Sequence, residues 1–136
     1  MAKSATWRGP AHRSRRNLPP GFIRPREPTL IDRPPTGPGW LHEIKHDSFR
    51  ILARKQGERL QVWSRRVADF TERFQGIAEG FRGLNVDEAL IDGEAVVFQD
   101  DGRSDFHALL TKPSWVEAAY VAFDFLRRRR SAPASA

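Results

Sequence analysis

The sequence predicts an α+β fold built on a largely antiparallel sheet. Three observations carry that reading. Apolar residues alternate with period two in several short stretches, the pattern of half-buried strands. One longer stretch switches to helical spacing. The elements follow one another as β-hairpin, helix, strand, short helix and strand, an order that suits an antiparallel sheet with helices packed on it.

The elements follow in chain order. Residues 1–39 hold eight of the ten prolines and little periodicity. "MAKSATWRGPAHRSRRNLPPGF" reads as disordered and "IRPREPTLIDRPPTGPG" as an extended lead-in, with Leu30 and Ile31 its expected anchors. "GWLHEIKH" alternates, with Leu41, Glu43 and Lys45 on one face and Trp40, His42 and Ile44 on the other. "SFRILARK" continues as a strand, Gln56 to Glu58 form a turn and "RLQVWSR" returns. In "DFTERFQGIAEGFRGL", Phe70, Phe74, Ile77 and Phe81 make one helical stripe, which reads as core. Asp69 and Glu72 have the spacing of a capping box. "EALIDGEAVVFQ" is a strand, Asp100 to Gly102 a turn, and Ser104 or Asp105 caps a short helix with Phe106, Leu109 and Leu110. "AAYVAFDFL" closes the series, with Val121, Phe123 and Phe125 expected on one face.

With 136 residues the chain suits one small domain. It has no cysteine, which excludes a disulfide framework and thiolate metal sites. No apolar run reaches the ~18 residues of a transmembrane helix, and the N-terminus lacks the apolar segment of a secretory signal, so no membrane partner is expected. The net charge is +6, unevenly placed. Residues 1–26 carry seven Lys/Arg and no acid, residues 127–130 are four arginines, and residues 27–126 hold 12 basic against 17 acidic residues. The division is therefore a basic tail (1–26), a body (27–126) and an Arg-rich, Ala/Ser tail (127–136). Basic ends suit a polyanion partner or are solvated.

Three constellations carry possible chemistry. The first is K-x-D-x-x-R, formed by Lys45, Asp47 and Arg50, with Glu43 on the lysine's face. A lysine attacking phosphorus must be neutral, against a reference pKa of about 10.4. Arg50 has the donor fork for phosphate or ribose oxygens, and Asp47 the hard oxygen ligand that hydrated Mg²⁺ takes. The bland alternative is the solvent face of a strand. The second is "LIDGEAVV", where Asp92 and Glu94 share a face inside an apolar strand. Metal or ribose binding competes with a solvated sheet face or a bulge at Gly93. The third is Phe123, a base-stacking ring or a core residue.

Taken together, "GWLHEIKHDSFR", "VWSRRVADFTERF", "LIDGEAVVFQDDGRSDF" and "AYVAFDFL" resemble ATP-dependent DNA ligases, most closely the bacterial end-joining type. Even the approach "FIRPREPTLIDRPPTGPGWLHEIK" is similar, and the resemblance spans roughly residues 22–126. It implies part of the nucleotidyltransferase (adenylation) domain shared by DNA ligases and mRNA-capping enzymes, an ATP-grasp-like fold. It implies ATP and Mg²⁺ as cofactors, and nicked or broken double-stranded DNA and end-joining repair proteins as partners, in a bacterial, nucleoid-associated cytoplasm. By resemblance, Lys45 is the catalytic lysine that attacks the α-phosphate and passes AMP to a DNA 5′-phosphate before nick sealing. Glu43 lies beside adenine, Arg50 and Arg65 near ribose and phosphate, Glu94 on the ribose or the metal, Asp47 on the metal, and Phe123 on the base.

Three departures accompany the resemblance. Ser48 stands where the family usually has glycine, a problem if that position needs φ > 0. Arg65-Arg66-Val67 replaces a turn usually written Arg-Asn-Gly, placing a β-branched residue at a left-handed position. The family's later Glu-Gly and Lys-x-Lys segments and its oligonucleotide-binding domain have no counterpart here. The expectation is a truncated ligase fragment, with a non-catalytic nucleotide- or DNA-binding remnant as the alternative.

Overall fold

The computed structural model describes residues 18–111 and 117–130. The reading of residues 1–17 as disordered and the tail beyond 130 lie outside them. Among the described residues, no helix is long and apolar enough to cross a membrane. Four strands and two helices are present: β1 (Phe49–Gln56), β2 (Arg59–Ser64), α1 (Gln75–Arg82), β3 (Glu88–Val96), α2 (Phe106–Leu110) and β4 (Ala119–Arg129). The strands form one antiparallel sheet in the order β2-β1-β3-β4. This is the α+β architecture that the alternating patterns predict.

The sheet buries both faces of its middle. On one face Ile51, Ala53, Val62, Ala89 and Ile91 pack with Phe74, Ile77, Ala78 and Phe81 from the α1 region and Leu109 from α2. The stripe read from the sequence is therefore core, although α1 proper starts only at Gln75. The capping box does not form. Asp69 Oδ1 instead accepts from the Thr71 amide (2.9 Å) and hydroxyl (2.6 Å), and Phe74 at the start of α1 has no side-chain cap. At the other end of α1 the buried Lys55 donates to the carbonyls of Arg82 (3.0 Å) and Leu84 (2.6 Å), satisfying acceptors that the helix end leaves open. Asp105 caps α2 by accepting from the Ala108 amide at 3.0 Å. That bond holds its carboxyl below the usual aspartate range.

On the opposite face Leu52, Trp63 and Leu90 pack with Phe22, and Leu18, Ile23, Val67 and Leu126 border them. The lead-in thus begins to pack earlier than the sequence suggests. Phe22 meets Trp63 edge-on at 5.6 Å, and the carbonyl of Pro20 accepts from Arg54. Residues 18–23 belong to the body and not to a tail. Leu30 and Ile31, the expected anchors, are 98% and 55% exposed.

Two further expectations are corrected. Residues 40–47 alternate but form no strand, because pairing with β3 begins only at Phe49↔Ala95. Without a neighbour the alternation buries nothing, and Leu41 and Ile44 are 89% and 81% exposed. Val121, Phe123 and Phe125 do not share a face. The β3–β4 register shifts twice, so Asp92 opposes Asp124 while Gly93 opposes Ala122, and Ile91 opposes Phe125 while Leu90 opposes Arg127. Phe123 and Leu126 are the extra residues of two bulges, which re-aim side chains and break period-two alternation. The strand also continues past Leu126 through Arg129, so three of the four arginines are sheet residues. The expected boundary at residue 127 does not mark the end of ordered structure.

The turn after β2 behaves as its sequence implies. Val67 is in the left-handed region at φ 72°, and its amide donates to the Ser64 carbonyl at 2.9 Å. A β-branched residue there costs roughly 1–2 kcal/mol. Val67→Asn is expected to raise stability by about 1 kcal/mol or slightly less, because Asn tolerates this backbone but gives up some of valine's packing. A urea melt with a lower midpoint for the variant would show that the packing outweighs the strain.

Candidate functional site

The side chains singled out in the sequence converge at one end of the sheet face that carries Trp63. Antiparallel pairing sets Arg50 opposite Glu94, with Asp92 two residues along the same face of β3. Arg50 reaches diagonally to Asp92, donating from Nε to Oδ1 (3.1 Å) and from Nη2 to Oδ2 (2.7 Å). This is the two-pronged geometry that makes arginine–carboxylate pairs specific. The hydrogen bond to Asp92 raises the Arg50 pKa further above its already high value against the opposing effect of burial. Arg50 is therefore charged at every pH the protein meets. Asp92 is 2% exposed and also faces Asp124, so the arginine compensates an otherwise costly pair of acids.

The bulge in β4 brings Phe123 to the same place. Its ring is 44% exposed, with the Arg50 guanidinium 5.4 Å from its centroid. An aromatic ring with an open face beside a cation offers a stacking surface for a flat ligand. Gly93, between the two acids, has a packing role on the opposite face. A Cβ there would lie 2.5 Å from the Val121 carbonyl oxygen and 2.7 Å from the Tyr120 ring. The Tyr120 hydroxyl donates to the Ile91 carbonyl at 2.8 Å, and burial pushes its pKa far up, so it stays protonated.

The segment leading into β1 is attached to this end of the sheet by three consecutive residues. The His46 ring meets Phe98 edge-on at 5.4 Å. The Asp47 amide donates to Ser104 Oγ at 3.2 Å. The Ser48 hydroxyl donates to Glu94 Oε2 at 2.6 Å. Ser48 is not at positive φ, so the conformational objection to serine at this position does not apply. Lys45 and Glu43 precede these attachments on exposed backbone, and Lys45 makes no hydrogen bond or ion pair with a described residue. Asp47 is exposed as well. Arg65 is exposed at the end of β2 and meets Arg50 only through its amide, which donates to the Arg50 carbonyl at 3.4 Å.

The structure thus brings Arg50, Glu94 and Phe123 together, with Lys45 and Asp47 close by in sequence. It leaves Glu43 and the Arg65 side chain on exposed backbone. Two roles that the sequence did not show are those of Asp92, offered there with Glu94 as a metal or ribose acid and found holding Arg50, and of Ser48, noted only in place of a glycine and found holding Glu94. The i, i+2 spacing of Asp92 and Glu94 was a signal for the first; nothing local signalled the second. Among the described residues no group of three or more His, Asp or Glu side chains is placed to hold a metal by itself. Mg²⁺ does not require one, since it keeps several waters and takes one or two carboxylates along with substrate phosphates. Asp47 and Glu94 are donors of that type.

The profile of the ATP-dependent DNA ligase domain matches residues 33–130, which cover β1 to β4 and the approach to them. The chain belongs to that family. Among curated relatives, a multifunctional non-homologous end joining protein LigD of Pseudomonas aeruginosa is 34% identical over 90 residues. These are 66% of this chain and 11% of that protein. A bifunctional LigD of Bacillus subtilis is 28% identical over 119 residues, 75% of this chain and 20% of that protein. Among solved structures, a mycobacterial DNA ligase D complexed with ATP and MES superposes with a TM-score of 0.57 at 23% identity. The match covers 66% of this chain and 30% of that one. The ligase domain of Mycobacterium tuberculosis LigD gives 0.53 at 24% identity, with the same coverage. The fold is therefore that of part of a ligase nucleotidyltransferase domain, of the bacterial end-joining type. The ligase-domain chain spans between about a tenth and a fifth of the two end-joining relatives.

Proposed function

We propose that this ligase-domain chain binds ATP at the open end of the Trp63 face and carries the lysine that accepts AMP. The observation that supports this best is the meeting of Arg50, Glu94 and Phe123 at one end of one face, with the Lys45 segment tied to the same place by residues 46–48. In this reading the adenine lies on the exposed face of Phe123, with Glu43 beside it. Glu94 accepts from a ribose hydroxyl. Arg50 keeps donors beyond those given to Asp92 and directs them at ribose or phosphate oxygens, joined by Arg65. Mg²⁺ held by Asp47 would supply charge neutralisation for the triphosphate, with water and phosphate oxygens as its other ligands.

Lys45 is the nucleophile in this scheme. Its Nζ must lose a proton before attack and lose another as the product forms. The nitrogen lone pair forms a P–N bond to the α-phosphorus, the bond to the bridging oxygen breaks, and pyrophosphate leaves. AMP then passes to a DNA 5′-phosphate and a 3′-hydroxyl displaces it, sealing a nick in double-stranded DNA. The relatives' names place those proteins in end joining, and repair partners of that kind follow for this chain.

A second reading, nucleotide or DNA binding without chemistry, draws on the exposure of Lys45. Nothing described holds its amine near a phosphate. One experiment separates the two. Wild-type protein and Lys45→Ala are incubated with α-³²P-ATP and Mg²⁺ and resolved on a denaturing gel. The expected result is a labelled band in the wild type and at least a hundredfold less in the variant. An unlabelled wild type with a cooperative thermal melt would overturn the catalytic reading and leave the binding one.

A further inference from the structure

Ser48 and Glu94 form the shortest polar contact at this end of the sheet, at 2.6 Å. The Ser48 oxygen also lies 3.3 Å from the His46 carbonyl, but a hydroxyl has one proton to donate. The shorter, charge-assisted bond to the carboxylate takes it. Arg50 and Ser48 act in parallel. Each sits at the β1 side and reaches diagonally to an acid on β3, Arg50 to Asp92 and Ser48 to Glu94. Arg50 occupies both oxygens of Asp92, whereas Ser48 occupies only Oε2 of Glu94. Asp92 is buried, while Glu94 is half-buried. One Glu94 oxygen is therefore fixed by a neighbour and the other is left to a ligand.

We propose that Ser48 is a positioning residue that sets the sugar specificity of the site, by fixing the Glu94 carboxylate so that its free oxygen accepts from a ribose hydroxyl. This rests on the reading of Glu94 as the ribose-side acid. A carboxylate free to rotate would satisfy itself with water, and the ribose hydroxyl would have to displace that water and order the side chain at once. With Oε2 held by Ser48, the ordering is already present before nucleotide arrives. Ser48 is also chained by backbone to Asp47 and Lys45. The same hydroxyl therefore couples the ribose-side acid to the segment that carries the lysine.

The test is calorimetric binding of ATP, 2′-deoxy-ATP and 3′-deoxy-ATP to the wild type, Ser48→Ala, Ser48→Thr and Glu94→Gln, with thermal melts to show that each is folded. The expected wild type binds ATP more tightly than at least one deoxynucleotide. Ser48→Ala is expected to lose about fivefold for ATP and almost nothing for that deoxynucleotide, so the preference collapses. Ser48→Thr, which keeps the hydroxyl, is expected to retain it. Equal losses for ATP and the deoxynucleotides, or a preference that survives in Ser48→Ala, would overturn the proposal. If Glu94→Gln abolishes the preference and Ser48→Ala does not, the ribose role of Glu94 stands and only the Ser48 role fails. A wild type that discriminates against neither deoxynucleotide, or a preference untouched in Glu94→Gln, removes the ribose reading itself and the Ser48 role with it.

Discussion

Gly93→Ala is expected to lower the melting temperature by roughly 15 °C, corresponding to about 3 kcal/mol for a domain of this size. The added methyl would lie 2.5 Å from the Val121 carbonyl oxygen and 2.7–2.8 Å from two atoms of the Tyr120 ring. The carbonyl belongs to β4, in the register where Gly93 opposes Ala122, and it moves only if the β3–β4 pairing moves. The ring is held too, because the Tyr120 hydroxyl donates to Ile91 and its face packs against Phe81 at 5.4 Å. Neither obstacle is the loose end of a flexible side chain. Tyr120→Phe gives a smaller reference, about 1 kcal/mol for the lost hydrogen bond. A Gly93→Ala protein melting within two degrees of wild type would show that the strands adjust and that the glycine has another purpose.

Asp92→Ala is expected to cost about 2 kcal/mol and to weaken nucleotide binding about tenfold. Removing one partner of a buried ion pair costs more when the remaining charge cannot reach water. Arg50 retains 23% side-chain exposure, and losing Asp92 also removes an acid facing Asp124, so the cost falls below that of breaking a fully buried pair. The binding effect is separate. Asp92 holds the Arg50 fork at 2.7 and 3.1 Å, and without it the guanidinium has rotamers that point away from Phe123 and Glu94. Asp92→Asn keeps one acceptor and should fall between. Denaturant melts read the first effect and calorimetry with ATP reads the second. An Ala variant with lowered stability and unchanged affinity would make Asp92 a structural residue only.

How much was legible depended on how local the cause was. The β1–β2 turn, the α1 stripe and the cap of α2 are set by neighbours within a few residues, and each was visible as spacing. Val67 belongs with them, because the left-handed turn needs only its own few residues to be recognised. The strand read at residues 40–47 shows the opposite case. Its alternation is real, but a strand needs a partner, and β3 begins pairing only at Phe49. Leu30 and Ile31 looked like anchors because they are apolar. Phe22 became the anchor because Trp63 presents a ring to it.

By itself the sequence determined the fold class and the family, and it offered Arg50, Glu94 and Phe123 as candidate site residues. The fold class rests on periodicity, and the family and those candidates on the resemblance of four short motifs taken in series. Only the tertiary structure decided how those residues meet. Two bulges in β4 turn Phe123 toward Arg50 and Leu126 toward the Trp63 cluster, undoing an alternation that would have placed Phe123 with Phe125. The bond from Ser48 to Glu94 spans 46 residues, and the one from Arg50 to Asp92 spans 42. The physical reason is the same in both cases. Strand register is a property of a pair of strands, fixed by what the whole sheet buries, and a shift of one residue moves a side chain to the other face.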